Sequence, residues 1–333
     1  MTDKLRWGLL STARINSALI DPIRRASRSE LSAVASRSLS GAQSYAEQWG
    51  IPRSFGSYEE MLADPAIDAV YISLPNGLHC EWTLKAAQAG KHVLCEKPLV
   101  VSIDEMNQVE AAAHQHGVII FEAFMYLHHP QTLMVKEMIQ AGRIGQLVTI
   151  ESSFNFNLPP SQATNVRLQP SLTGGSLWDV GVYPNSMAIV MSGGRAPAEI
   201  WAHQLTGESG VDVGMRAQLR FANGVIAQIS SGFRTPFRQG ATFIGDQGII
   251  HVPDPWKPGT DGQPSQITIT DLKGASETIS TPEISPYGCE VAAMEACVLA
   301  GAAPLLPLSL SREFLRSVLA MYRSAETGGI VQP

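Results

Sequence analysis

DAVYISLPNGLHCEWTLKAAQAGKHVLCEKP, residues 68–98, is the stretch that decides the fold. Asp68 to Leu74 is apolar and rich in strand formers, Leu78 to Ala89 has helical spacing and stops at Gly90, and His92 to Cys95 is again short and apolar. Strand, helix and strand in this order make a βαβ unit with parallel strands. Two turns leave the carboxyl ends of these strands, Pro75-Asn76-Gly77-Leu78-His79 and Glu96-Lys97-Pro98. Open α/β sheets bind their ligands outside such ends. Pro98 disfavours helix at Lys97 and removes a backbone donor, so the chain turns there.

The same rhythm extends in both directions. Leu5 to Leu10 is a strand and Ile15 to Ala26 a helix; Leu31 to Ala35 is a strand and Ala42 to Trp49 a helix ended by Gly50. Ser57 caps Tyr58 to Ala63, Ser102 precedes the helix Ile103 to His114, Gly117 closes it, and Val118 to Phe121 is a strand. His92 to Cys95 is thus the fourth of five strands in a doubly wound parallel sheet, a Rossmann domain over 1–123. After Ala123 the pattern changes. A helix, Gln131 to Ala141, precedes seven apolar runs (147–155, 198–205, 213–221, 225–233, 241–244, 249–252 and 266–269), with Asn223-Gly224 as a hairpin signal. An α+β domain over 124–333 with a large, mostly antiparallel open sheet is predicted. Asp254 to Pro264, rich in Pro and Gly, reads as a surface loop. Glu290 to Leu299 and Ser309 to Arg323 read as helices, the second returning to pack on the first domain.

A chain of 333 residues suits about two domains. With 44% hydrophobic and 16% charged residues it is globular, and a net charge of −6 without a basic run argues against nucleic acid and anionic membranes as partners. The 4 cysteines form no C-x-x-C pair or dense framework, which fits a reducing compartment without structural zinc. No stretch approaches the roughly 20 apolar residues of a membrane span. A cytoplasmic location is expected.

The turn Gly8-Leu9-Leu10-Ser11-Thr12-Ala13-Arg14-Ile15 stands where a phosphate-binding loop would. Ser11 and Ala13 replace two of its glycines, yet small residues still let backbone approach a pyrophosphate at a helix N-terminus. After the second strand comes Ser36-Arg37-Ser38, where NAD-specific sites carry an acid for the ribose 2′-hydroxyl. Arg37 instead suits a 2′-phosphate, so NADP is preferred over NAD. Asn76 reads either as a helix cap or as part of a turn under the nicotinamide. His79 has no partner at metal-ligand spacing, and no metal is expected.

Lys97 lies among apolar neighbours, and Asp179 and Tyr183 fall in Gly174 to Pro184, on one helix face. Together the three suit alcohol–carbonyl interconversion, since hydride leaves a carbon only as its hydroxyl loses a proton to a nearby base. A phenol of ordinary pKa near ~10 is a poor base at neutral pH. A lysine cation about 4 Å away, at an effective dielectric near 20, interacts by roughly 4 kcal/mol, or at most about three pKa units. Lys97 would also hold the substrate oxygen as charge builds on it.

These residues, with the Gly142-Arg143-Ile144-Gly145 turn and in this order, resemble the glucose–fructose oxidoreductase/inositol dehydrogenase family over nearly the whole chain. The chain is most similar to the branch of dimeric dihydrodiol dehydrogenases and NADP-dependent D-xylose dehydrogenases. The resemblance implies Lys97 as catalytic lysine, Tyr183 as acid/base and Asp179 as the helix aspartate. It further implies pyrophosphate contacts from Ser11, Thr12, Ala13, Arg14 and Ile15, and 2′-phosphate contacts from Ser36 and Arg37. Leu74, Pro75, Asn76, His79 and Glu96 would line the cofactor, with a cis Lys97–Pro98 bond. Ser11 and Asn16 depart from the family's small residues. Tyr126, Phe154, Arg167, Trp178, Tyr287 and His129, with Asp179 and Tyr183, are candidate walls for a carbohydrate. The implied activity is NADP-dependent oxidation of a cyclic aldose to its lactone. Alternatives are a trans-dihydrodiol dehydrogenase or keto-sugar reductase with the same site, transient nicotinamide use in glycoside cleavage, and a non-catalytic dinucleotide sensor. The family's open sheet commonly mediates homodimers or homotetramers.

Overall fold

The structure is a computed structural model describing residues 4–162, 164–260 and 262–333. It comprises two units, Met1–Met125 with Tyr287–Leu308, and Tyr126–Pro286 with Ser309–Pro333.

In the first unit, β1 (Leu5–Leu10), β2 (Ser29–Ala35), β3 (Arg53–Phe55), β4 (Ala69–Ile72), β5 (His92–Glu96) and β6 (Ile120–Ala123) form one parallel sheet in the order β3-β2-β1-β4-β5-β6. The order reverses between β1 and β4, the place where a crevice opens in doubly wound sheets. Between the strands run α1 (Ser17–Arg25), α2 (Leu39–Trp49), α3 (Tyr58–Leu62), α4 (His79–Gln88) and α5 (Ile103–His116). Ser38, Ser57 and Ser102 cap their helices by accepting from Gly41, Glu60 and Glu105 N–H groups. Sequence predicts five strands; the sixth is β3, whose three half-buried edge residues carry no alternation to read. Lys97 therefore follows the fifth strand.

In the second unit, α6 (Pro130–Gln140) precedes β7 (Leu147–Asn157). A π-helical turn, Leu177–Gly181, then runs into α7 (Val182–Met191). The sheet is completed by β8 (Glu199–Thr206), β9 (Asp212–Arg220), β10 (Ile226–Gly232), β11 (Arg234–Gly245), β12 (Gly248–Val252), β13 (Gln266–Asp271) and β14 (Ser276–Ser280). Its eight strands lie in the order β14-β13-β12-β11-β7-β10-β9-β8, antiparallel throughout except for the β7–β10 pair. One face buries Ala202, Ala217, Ala227, Ile150, Phe243 and Ile250. The other carries a register-matched row, Trp201, Gln218, Gln228, Glu151, Thr242 and His251, lining a shallow trough.

The last two helices are α8 (Pro286–Ala300) and α9 (Leu308–Thr327). Tyr287–Leu308 belongs to the first unit and Ser309 onward to the second. The hydroxyls of α9 set its placement: Ser317 bonds Asn185 at 2.6 Å, Tyr322 bonds Asp212 at 2.7 Å, and Ser324 accepts from Ala202 N–H at 2.8 Å. An amphipathic stripe tells that a helix is packed but not against which surface. The loop Asp254–Pro264, predicted to lie on the surface, turns Trp256 fully inward; its Asp261 lies outside the described residues.

His128, just before α6, is buried, and burial alone lowers its pKa to about 4. The unfolded chain takes up this proton below about 6.5, the folded chain only near 4, so the neutral ring's contribution is complete above 6.5 and declines as pH falls. Urea unfolding of the parent and His128→Phe at successive pH values should differ by a term that grows between pH 6.5 and 4, reaching about 3 kcal/mol. Parallel pH profiles would contradict this.

Candidate active site

Because the strands of the first unit are parallel, β1, β2, β4 and β5 deliver Ser11, Ser36, Leu74 and Glu96-Lys97 to one edge. Ser11 has φ 139, in the region that favours glycine, which is the residue it replaces. A buried polar network holds it there. Its hydroxyl pairs with Ser73 at 2.7 Å and accepts from Ala13 N–H at 3.1 Å. Its carbonyl accepts from Asn16 Nδ2 at 2.8 Å, and Ser73 donates to Asn16 Oδ1 at 2.6 Å. The two departures at Ser11 and Asn16 are therefore one coupled arrangement. Thr12, Ala13, Arg14 and Ile15 follow into a short 3₁₀ turn, Arg14–Asn16, whose start no side chain caps. Beyond β2, Ser36 is half-buried and Arg37 exposed, and neither β2's end nor the next residue is acidic.

The turn after β4 keeps Leu74, Pro75 and Asn76 half-buried. Asn76 opens a 3₁₀ turn, Asn76–Leu78, directly ahead of α4. His79 is fully buried, with Nδ1 2.7 Å from Pro98 O and Nε2 2.7 Å from Leu74 O. Burial lowers its pKa while the two carbonyls pull it upward. Both nitrogens are engaged by backbone, so His79 ties the turn after β4 to the turn after β5.

Glu96 accepts from Tyr71 Oη at 2.6 Å. Lys97 is half-buried, the Lys97–Pro98 peptide is cis, and Leu99 N–H donates to Glu122 at 3.0 Å. Tyr287, a candidate substrate wall, lies in this unit as a buried residue, its phenol pKa raised by burial and by Glu96 and Glu290. Glu290 is fully buried with neither carboxylate oxygen hydrogen-bonded, and burial, then Glu96, raises its pKa well above the usual carboxylate range. Tyr71 and Glu290 escape a sequence reading because each sits in an apolar run that looks like plain core.

In the second unit, Asp179 lies in the π turn and Tyr183 in the first turn of α7. Sequence predicts Asp179 on an ordinary helix, but π turns recur at functional sites. Asp179 accepts from Arg167 Nε at 2.6 Å, a pair with the carboxylate side 15% and the arginine side 43% exposed. Tyr183 is buried among rings, with centroids of Phe154 at 5.5 Å, Trp256 at 5.7 Å and Tyr126 at 5.9 Å. Phe154 stacks on Trp256 at 6.1 Å and meets Phe237 edge-on at 6.4 Å. The structure thus brings together Phe154, Arg167, Asp179 and Tyr183 of the predicted residues, and adds Trp256 and Phe237 from segments without periodicity.

Three other candidates have different duties. Tyr126 is fully buried, bonding Ser186 Oγ at 2.7 Å and Tyr183 O at 3.3 Å, and so braces α7. His129 caps α6, Nδ1 accepting from Gln131 N–H and Nε2 donating to Ile284 O. Trp178 is buried against Tyr322, ring centroids 5.7 Å apart. Among the described residues no group of three or more His, Cys, Asp or Glu side chains could hold a metal, and no helix is long and apolar enough to cross a membrane.

Removing Asn16 strands the buried Ser11 carbonyl and a Ser73 partner. Asn16→Ala should cost about 1–3 kcal/mol, measured as the loss in urea-unfolding free energy. An unchanged midpoint would show that the loop does not need this network.

Residues 5–124 match a family described as "Oxidoreductase family, NAD-binding Rossmann fold", and residues 132–251 match "GFO/IDH/MocA C-terminal domain". The chain is 37% identical over 329 residues to D-xylose 1-dehydrogenase (NADP(+)) 2 of Haloferax volcanii, covering 98% of this chain and 99% of that one. It is 30% identical over 303 residues to trans-1,2-dihydrobenzene-1,2-diol dehydrogenase of Danio rerio, covering 89% of each. A 3-ketoreductase from Actinomadura kijaniata, solved with NADP and TDP-benzene, superposes with TM-score 0.86 at 29% identity, covering 98% of both chains.

Proposed function

This chain belongs to the GFO/IDH/MocA oxidoreductase family, and from that premise we propose that it oxidises a cyclic aldose at its anomeric hydroxyl, with NADP as hydride acceptor. The observation that carries the reading is the pair of chemical groups each unit offers: a half-buried lysine on a cis turn at the sheet's carboxyl edge, and a tyrosine boxed by rings beside an arginine-paired aspartate. The relative of 37% identity is itself an NADP-dependent xylose dehydrogenase.

The first unit suits the dinucleotide. The Arg14–Asn16 turn has no side-chain cap, so its leading N–H groups beyond Ala13, whose own N–H is held by Ser11 Oγ, would serve a pyrophosphate, and Arg37 with Ser36 would take the 2′-phosphate at a strand end that has no acid. The Leu74-Pro75-Asn76 turn and Glu96 would flank the nicotinamide ribose. NADP, when bound, supplies the carbon that accepts hydride. Lys97 would hold the substrate oxygen, and Tyr183 would take its proton as the carbonyl forms. Asp179 would orient the sugar, with Arg167 fixing the carboxylate. Phe154, Trp256 and Phe237 offer apolar faces to a sugar ring.

Lys97→Ala and Tyr183→Phe should each lower turnover by about 10²–10⁴-fold while NADPH fluorescence titrations stay close to the parent. Full activity in either variant removes that residue from its role. Arg37→Ala should weaken NADP+ by one to two powers of ten, about 1–3 kcal/mol, with little change for NAD+. Equal losses for both cofactors would place the 2′-phosphate elsewhere.

Substrate choice is tested by following NADP+ reduction with D-xylose, D-glucose and a cyclic trans-diol. Turnover of the diol alone would favour the second reading, drawn from the dihydrodiol dehydrogenase relative. NADPH consumption with a keto-sugar would favour reduction, as the Actinomadura ketoreductase suggests.

We further propose that the polar sheet face pairs copies of this chain into a homodimer or homotetramer. Trp201, 46% exposed at the end of the residue row, is the apolar anchor such an interface needs. Light scattering should report dissociation of the assembly in Trp201→Glu. A monomeric parent would refute the proposal.

A further inference from the structure

The helix that carries Asp179 and Tyr183 begins without a cap of its own. Its N-cap position is Ser176, whose side chain caps none of the helix's N–H groups. A helix start leaves its first N–H groups without intrahelical partners, and at a buried start each must be satisfied from outside. Here Ser176, Leu177 and Trp178 are buried and Asp179 is half-buried.

Two residues remote in sequence supply what is missing. Asp212, the first residue of β9, accepts from Leu177 N–H at 2.8 Å, from Ser176 Oγ at 2.6 Å, and from Ser176 N–H. Tyr322 of α9 donates its hydroxyl to the other Asp212 oxygen at 2.7 Å and accepts from Trp178 N–H. The fourth donor, Asp179 N–H, goes to Gly175 O at 3.0 Å. Every donor in the first turn is thereby accounted for.

The approach is close enough to dictate residue type. Gly175 has φ 126, and a Cβ there would lie 2.2 Å from Asp212 Oδ1. Gly181, where the π turn ends, would place a Cβ 2.8 Å from Ser231 Oγ on β10. Ser231 Oγ is in turn 3.2 Å from Ser176 Oγ. The π turn is thus clamped at its start by a carboxylate and at its end by a glycine pressed on the sheet. Burial raises the pKa of Asp212 while the Ser176 and Tyr322 bonds lower it, and burial beside that carboxylate raises the Tyr322 phenol well above its usual value.

We propose that Asp212, completed by Tyr322, is a positioning residue for the reaction: a cap lent by β9 and α9 that fixes the π turn and so aims Asp179 and Tyr183. The proposal rests on the roles assigned to those two residues above. Asp212 touches no reacting atom, and its effect is on the geometry of the groups that do. Catalytic groups displaced by about 1 Å lose on the order of 10²-fold in rate, so a slackened helix start should appear in kcat.

The test compares Asp212→Asn, Tyr322→Phe and Glu313→Gln, all as full chains with the substrate the panel identifies. Glu313 is a control, a buried carboxylate of the same unit that accepts from Ala196 N–H. Asp212→Asn and Tyr322→Phe should lower kcat by about 10–100-fold. NADPH affinity should stay within about two-fold, because the clamp lies in the second unit and the cofactor turns in the first. Glu313→Gln should lose comparable thermal stability and keep kcat. If Asp212→Asn does not fold, Tyr322→Phe decides, since it leaves the carboxylate and its backbone donors in place. Near-parental kcat in the foldable variants, with Tyr183→Phe inactive, overturns the positioning role alone. A kcat loss in Glu313→Gln matching the others at equal stability loss also overturns it. An active Tyr183→Phe fails the underlying reading and the positioning role with it.

Discussion

Parallel pairing across β1, β2, β4 and β5 is the constraint on which the first unit depends. A parallel sheet points every carboxyl end the same way, so turns separated by dozens of residues emerge along one edge without further design. The reversal of order between β1 and β4 then leaves the crevice beside Ser11 and Leu74 uncovered by a crossover. Each turn still needs local support. His79 links the turns after β4 and β5 through two carbonyls, Glu122 holds the chain beyond Pro98, and Tyr71 fixes Glu96 from within the strand layer. These bonds are buried or partly buried, and loss of a buried one would strand a polar group at about 1–3 kcal/mol. The edge is a frame whose joints are side chains.

The second unit solves another problem. Its sheet can shield one face only, and the helix that carries Asp179 and Tyr183 must be seated on that face with its polar start inside. A self-capping serine or aspartate at the helix start would satisfy the donors but leave the helix free to slide. A cap drawn from β9 and α9 ties the helix to the sheet and to the chain's last helix together. Rings do the rest: Tyr183 contacts Phe154, Trp256 and Tyr126 at centroid distances of 5.5–5.9 Å, each from a different segment. Position along the helix axis is set by hydrogen bonds, and ring orientation by packing.

What sequence could carry is visible in these contrasts. The strand–helix alternation, the helix stops at Gly50 and Gly117 and the serine caps are local signals, and they match the structure, as does the cis Lys97–Pro98 bond that the family resemblance implies. β3 is too short to show a period. Trp256 lies in a Pro- and Gly-rich segment whose composition says surface, yet the indole is fully buried because one large ring outweighs its flanks. The destination of α9 depends on Asn185, Asp212 and Ala202, none adjacent to it in sequence. Tyr126 and Trp178 look like sugar-stacking aromatics from their neighbourhood; only packing reveals them as braces. Residue type identifies chemical capacity, whereas which capacity is used depends on contacts across the chain.

Ser11 and Asn16 show how far that dependence reaches. Taken singly, a serine where a phosphate loop has glycine and an asparagine where a small residue is usual both argue against a dinucleotide site. Taken as a pair they form a closed polar circuit with Ser73, in which a strained serine at φ 139 makes three hydrogen bonds of 2.7–3.1 Å and a fourth, of 2.6 Å, joins Ser73 to Asn16. The strain of such a backbone is of order 1–3 kcal/mol, and the net gain of four buried hydrogen bonds is of the same size or larger. A substitution that restores glycine at Ser11 would relieve the strain and keep the backbone carbonyl that Asn16 holds, but would take from Ser73 and from Ala13 N–H the hydroxyl that partners them.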